Sequence, residues 1–128
     1  MYGTNVTCNS TTLNIPFYSS NRYYLKGYQN ILTGDCSRVV AALRTRSLAV
    51  AIATGGFQFY QNGTFVSSNK DINHGVALVG YDPKNGFLIR NSWGNVWGTY
   101  GYAFVSTSTG VCDYAIAPTF WLWHKIIY

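Results

Sequence analysis

Apolar and polar positions alternate with a period of two over two neighbouring stretches of the chain. Val76, Leu78 and Gly80 take one side, Ala77, Val79 and Tyr81 the other, and Phe87-Leu88-Ile89-Arg90 repeats the β-type composition shortly afterwards. Between them, Asp82-Pro83-Lys84-Asn85-Gly86 has turn chemistry: proline fixes φ, and Asn85-Gly86 tolerates the positive φ of a tight reversal. The pattern predicts a hairpin. Leu48–Ala53 reads as a buried strand, residues 101–107 as a further strand, and residues 115–120 as the strand that closes the sheet. Helical spacing is found over residues 36–46, where Val39, Val40, Ala42 and Leu43 share a face and Asp35 or Thr33 can cap the start. Residues 1–32, rich in Asn, Thr, Ser and Tyr, predict mostly loop with short extended pieces around residues 22–28. No repeat, low-complexity tract or linker divides the chain. It reads as a single domain over residues 1–128, with an irregular lead-in (1–32), a core (33–120) and an aromatic tail (121–128) in which His124 has no expected catalytic role.

Composition narrows the function classes. A chain of 128 residues can bury the modest core of one domain. Aromatic residues make up 17% and charged residues 10%, with four aspartates and no glutamate, so the surface is polar through Asn, Ser, Thr, Gly and Tyr. The net charge of +5 is scattered without a basic run, which argues against nucleic-acid binding. No stretch approaches the ~20 apolar residues of a membrane-spanning helix, and the start of the chain lacks a basic region followed by an apolar one. The expectation is a soluble chain without a targeting signal or membrane partner. Three triplets, Asn5-Val6-Thr7, Asn9-Ser10-Thr11 and Asn62-Gly63-Thr64, nevertheless fit the N-glycosylation acceptor pattern and point to a secretory route.

The hairpin carries the candidate chemistry. His74 opens one arm and Asn91 follows the other, so antiparallel pairing brings both to one edge of the sheet. A side-chain amide oxygen beside an imidazole can accept its N–H, fix the tautomer and aim the other nitrogen at a nucleophile. Trp93 and Trp97 are placed to shield that hydrogen bond from competing water.

The stretch Asp71-Ile72-Asn73-His74-Gly75-Val76, followed by Asn91-Ser92-Trp93-Gly94 and Trp97-Gly98, resembles the C-terminal half of papain-like cysteine peptidases. In that family a histidine in such a setting pairs with a cysteine, and the asparagine of Asn-Ser-Trp-Gly orients it. The resemblance implies that His74 and Asn91 are catalytic and that Trp93 and Trp97 form the aromatic shield, with Gly94 and Gly98 beside it. Phe57-Gln58-Phe59-Tyr60 ahead of Gly63 extends the match, which covers roughly residues 2–120. The implied fold is α+β and mainly antiparallel: the barrel-like right-hand domain of the papain fold with one packed helix. No cofactor or metal is implied.

The same resemblance exposes a gap. The family's nucleophilic cysteine opens a helix of the left-hand domain in a Gln…Gly-Ser-Cys-Trp context that also supplies an oxyanion glutamine, and this sequence contains no such segment. An imidazole with its orienting amide cannot form an acyl-enzyme without a thiolate. The expectation is therefore an endopeptidase half, silent alone, whose partners are a peptide or protein substrate and an N-terminal half carrying the cysteine. The alternative is a non-enzymatic scaffold that binds a protein through its bare interdomain face. By resemblance the localisation is lysosomal, vacuolar or secreted.

Of the three cysteines, Cys8 resembles one that bridges back to the N-terminal half, and Cys112 one that pairs within this half. The usual partner of Cys112 would lie near Ser67 or Ser68, neither a cysteine, so a Cys36–Cys112 bridge stays open because spacing does not determine connectivity. Cys36 starts a helix, where the dipole lowers a thiol pKa, but Asp35 and Ser37 match neither side of the nucleophile motif, and a structural or disulfide role is expected. By carry-over, the pocket for the residue two before the scissile bond is lined partly by Ala51, Asn73, Gly75 and Ala117, small or uncharged residues that favour bulky apolar side chains over arginine.

Overall fold

The computed structural model describes Thr7, residues 25–31 and residues 34–120. Cys8, Asn5, Asn9, Thr33 and the 121–128 tail with His124 lie outside the described residues, as does most of the lead-in. Seven strands and one α-helix are described: β1 (Leu25–Ile31), α1 (Cys36–Leu43), β2 (Leu48–Ala53), β3 (Thr64–Phe65), β4 (Ile72–Asp82), β5 (Gly86–Arg90), β6 (Tyr102–Val105) and β7 (Ala115–Phe120). They form one sheet in the order β1-β7-β2-β4-β5-β6-β3, antiparallel throughout except for the parallel β3–β6 pair. The mainly antiparallel α+β expectation holds, although the sheet is open, with β1 and β3 as its edges. Strand β7 does not close it; it lies between β1 and β2. Residues 25–31, expected within an irregular lead-in, form a full strand because β7 supplies a hydrogen-bonding partner that the local sequence does not reveal.

Alternation along the strands separates two faces. Register aligns Leu48, Leu78, Ile89 and Ala103 in one row across β2, β4, β5 and β6, and all four are buried. Val39 of α1, together with Phe57, Phe65, Phe87 and Val105, joins this inner core. The neighbouring row, Ile116, Ala49, Ala77, Arg90 and Tyr102, is exposed. This row of the outer face thus carries two alanines, an isoleucine, a tyrosine and one cation.

Helix α1 stops at Leu43, earlier than the expected Arg46, because Arg44 and Thr45 turn their N–H groups to the Ala41 and Ala42 carbonyls in a tighter final turn. Asp35 caps its start by accepting the Arg38 N–H at 3.1 Å. The Ser37 hydroxyl, donating at 2.6 Å, and that backbone N–H hold the Asp35 carboxyl below its ordinary pKa. A lowered pKa makes the cap stabilising above the ordinary aspartate range and weaker as pH falls through the lowered value.

Cys36 and Cys112 are bridged across a sequence separation of 76, tying the first residue of α1 to the segment before β7. Closing so long a loop constrains the unfolded chain by about 4 kcal/mol in the chain-entropy description. The Cys36→Ala/Cys112→Ala pair is expected to lower the unfolding free energy by roughly 2–4 kcal/mol in urea titration; a loss under about 0.5 kcal/mol would contradict that account.

The hairpin forms as expected, and Asp82 Oδ1 accepts the N–H groups of Lys84 (2.8 Å) and Asn85 (2.7 Å). Gly86 alone takes the positive φ, at 94°, and a Cβ there would sit 2.6 Å from the Val105 carbonyl oxygen of β6. Gly86→Ala should therefore lose more than about 2 kcal/mol, the left-handed penalty plus the clash. Gly56→Ala, where φ is 87° but the space is empty, should lose only the ~1 kcal/mol conformational part. Equal urea midpoints for the two variants would show that the clash is relieved.

Candidate active site

Strand pairing assembles the site. Arg90, the last residue of β5, is the register partner of Ala77 in the middle of β4, so the chain beyond it runs back toward the first residues of β4, and Asn91 reaches His74. The Asn91 backbone is fixed by its N–H to the Gly101 carbonyl at 2.9 Å. His74 Nε2 and Asn91 Oδ1 are 2.8 Å apart, and an amide oxygen only accepts, so Nε2 carries the proton and donates. The Ser92 N–H donates to the same oxygen at 2.8 Å. Two donors on Oδ1 set the amide orientation and leave His74 Nδ1 as the unprotonated nitrogen of the neutral ring. Asn91 itself is 8% exposed, and its Nδ2 is buried without a hydrogen-bond partner.

The two tryptophans divide the shielding. The Trp93 ring lies 4.9 Å from the imidazole, centroid to centroid, and covers it directly. Trp97 stands behind, 5.4 Å from Trp93, with its indole N–H donated to the Phe57 carbonyl at 3.1 Å. Phe57 is fully buried and touches both indoles, at 5.7 Å and 4.7 Å. Sequence reasoning quoted Phe57 without giving it this role; an aromatic before a glycine turn carries no signal of which ring it will support. The Ser92 N–H was missed too, since a backbone donor has no side-chain signature.

Of the four residues expected around a substrate pocket, Ala51 and Gly75 are register partners across β2 and β4. Asn73 is exposed beside His74, with its Oδ1 accepting from the Thr54 hydroxyl at 2.7 Å. Ala117 is 6% exposed and packs with the core, because parity along β7 places it with buried Ala115 rather than with exposed Ile116. Cys36 sits in the disulfide and has no thiol to offer. Asn62 is exposed in the turn before β3. Among the described residues no helix is long and apolar enough to cross a membrane.

An imidazole held by an amide and shielded by indoles, with Nδ1 unprotonated, has the chemistry to serve as the acid–base part of a site for nucleophilic catalysis. The comparisons agree with that class. The family described as papain family cysteine protease matches residues 2–121. Vignain of Phaseolus vulgaris is 37% identical over 107 residues, 75% of this chain and 30% of vignain. Macrodontain-1 of Ananas macrodontes is 33% identical over 121 residues, 89% of this chain and 54% of its own. The solved bromelain protease from Ananas comosus, in complex with the E64 inhibitor, superposes with a TM-score of 0.66 at 28% identity, covering 75% of this chain and 51% of that one. The chain belongs to the papain family of cysteine proteases. It spans about a third to a half of the length of these relatives.

Proposed function

We propose that this chain supplies the histidine and asparagine of a cysteine endopeptidase site, and that a segment outside this sequence supplies the thiol and the oxyanion glutamine. The hydrogen bond from His74 Nε2 to Asn91 Oδ1 carries the reading, since it leaves Nδ1 to take a proton from an incoming thiol. The thiolate then attacks the peptide carbonyl, the imidazolium returns the proton to the departing amine, and water releases the acyl group. One feature of the outer face favours docking of another half. A groove of about 670 Å³ beside Asn91 is walled by Ala49, Gly75, Ala77 and Pro118, with Arg90 at its edge. Sheets bury such faces against a second layer.

Alone, the chain should not hydrolyse a peptidyl fluorophore. Mixed with an N-terminal half bearing the nucleophile, such as that of macrodontain-1, it should gain activity that iodoacetamide abolishes. Hydrolysis by the chain alone would refute the division of labour, and binding without activity would favour a protein-binding scaffold. The substrate pocket, lined on this side by Ala51, Asn73, Gly75 and Ala117, offers no acid and favours bulky apolar or aromatic side chains two residues before the cut; a library preference for arginine there would contradict this. The disulfide supports an oxidising location, lysosomal, vacuolar or secreted.

A further inference from the structure

Exposed apolar side chains lie at one edge of the sheet, and the endopeptidase reading leaves them unexplained. Strand β3 is two residues long and, among the described residues, pairs with β6 alone and ends the strand order. Two apolar side chains flank it in the chain, Phe59 at 79% and Val66 at 62% exposure. Exposed apolar side chains grouped at a sheet edge favour association with another chain. The acceptor triplet Asn62-Gly63-Thr64 follows Phe59 and ends on Thr64, the first residue of β3, with all three residues exposed.

We propose that Asn62 carries an N-linked oligosaccharide that shields this edge. The turn is built in a way that leaves the acceptor free. Gly63 takes φ of 78°, its carbonyl accepts the Tyr60 hydroxyl at 2.6 Å, the Gln61 carbonyl accepts the Thr99 hydroxyl at 3.3 Å, and the Thr64 hydroxyl donates to the Asn85 carbonyl at 2.9 Å. The backbone around Asn62 is thus anchored on both sides, while the Asn62 side chain makes no hydrogen bond among the described residues. A glycan can be carried there without disturbing the packed core. The Cys36–Cys112 bridge is the independent observation: disulfides of this kind form where thiols are oxidised, the same route on which oligosaccharides are transferred to asparagine. In the transfer, Asn62 Nδ2 forms a bond to the sugar anomeric carbon of a lipid-pyrophosphate-linked oligosaccharide. The sugar–phosphate bond breaks, the lipid pyrophosphate leaves with the electron pair, and the amide gives up one proton.

The test secretes the chain from a eukaryotic host and maps occupancy by peptide mass spectrometry after N-glycosidase treatment, which converts a glycan-bearing asparagine to aspartate. Asn62 is expected to be converted, with Asn5 and Asn9 read separately on their own peptide. Asn62→Gln and Thr64→Ala should each lose one glycan, and Thr64→Ser should retain it. Light scattering should then show the Asn62→Gln chain associating at concentrations where the glycosylated chain stays dispersed, with Val66→Lys restoring dispersion. An unmodified Asn62 peptide overturns the site, and a glycan whose removal leaves association unchanged overturns its shielding role. Neither result depends on peptidase activity, so failure here is distinct from failure of the endopeptidase reading.

Discussion

Phe57→Ala is expected to lower the unfolding free energy by about 3–5 kcal/mol, the range for removing a buried phenylalanine ring. Phe57 is fully buried and has ring neighbours at 4.5 Å (Phe65), 4.7 Å (Trp97), 5.7 Å (Trp93) and 6.2 Å (Tyr60). Truncation removes contacts on several sides at once, and the surrounding rings belong to different elements, so they cannot collapse together into the void. A domain with a typical stability of ~5–15 kcal/mol would lose a large share of it. Urea unfolding should show a lower midpoint at an unchanged slope. Phe57→Leu, which keeps most of the volume, should lose no more than about 1.5 kcal/mol. Because the ring supports both indoles, tryptophan emission should shift toward the red in the folded Phe57→Ala protein. A loss below about 1 kcal/mol would mean that Trp93 and Trp97 are held by other contacts.

The second large effect concerns the reassembled enzyme. His74→Ala should reduce kcat/KM by about 10²–10⁴-fold, the usual contribution of a positioned acid–base group. The proton of the thiol then has no acceptor within the site. Asn91→Ala should fall less far, because the imidazole remains but can rotate away from the nucleophile, and water can reach the Nε2 proton that Oδ1 accepts at 2.8 Å. In both variants kcat should drop with little change in KM, since neither group is argued to bind the ground-state substrate. A wild-type rate in Asn91→Ala would show that Trp93, 4.9 Å from the ring, suffices to orient it.

Much of this site was legible before any coordinates. Two alternating stretches around a proline–glycine turn specify antiparallel pairing, and pairing places the residue at the start of one arm beside the residue after the other. His74 and Asn91 meet for that reason, 17 positions apart in the chain. The bounds of β2 and β7 were likewise readable, because their apolar runs are short and bounded by turn-forming residues.

What the sequence by itself determined was local: strands β2, β4, β5, β6 and β7, the capped helix, the reversal at Gly86, and the histidine and asparagine that the reversal brings together. Tertiary structure alone decided which strand β1 pairs with, that Cys36 bonds Cys112, that Ala117 faces the core, and that Phe57 supports the indoles. The reason is one of range. Periodicity and turn chemistry act over a few residues, where backbone sterics leave few choices, whereas these four outcomes depend on register and parity between segments far apart in the chain, set only when the sheet is paired.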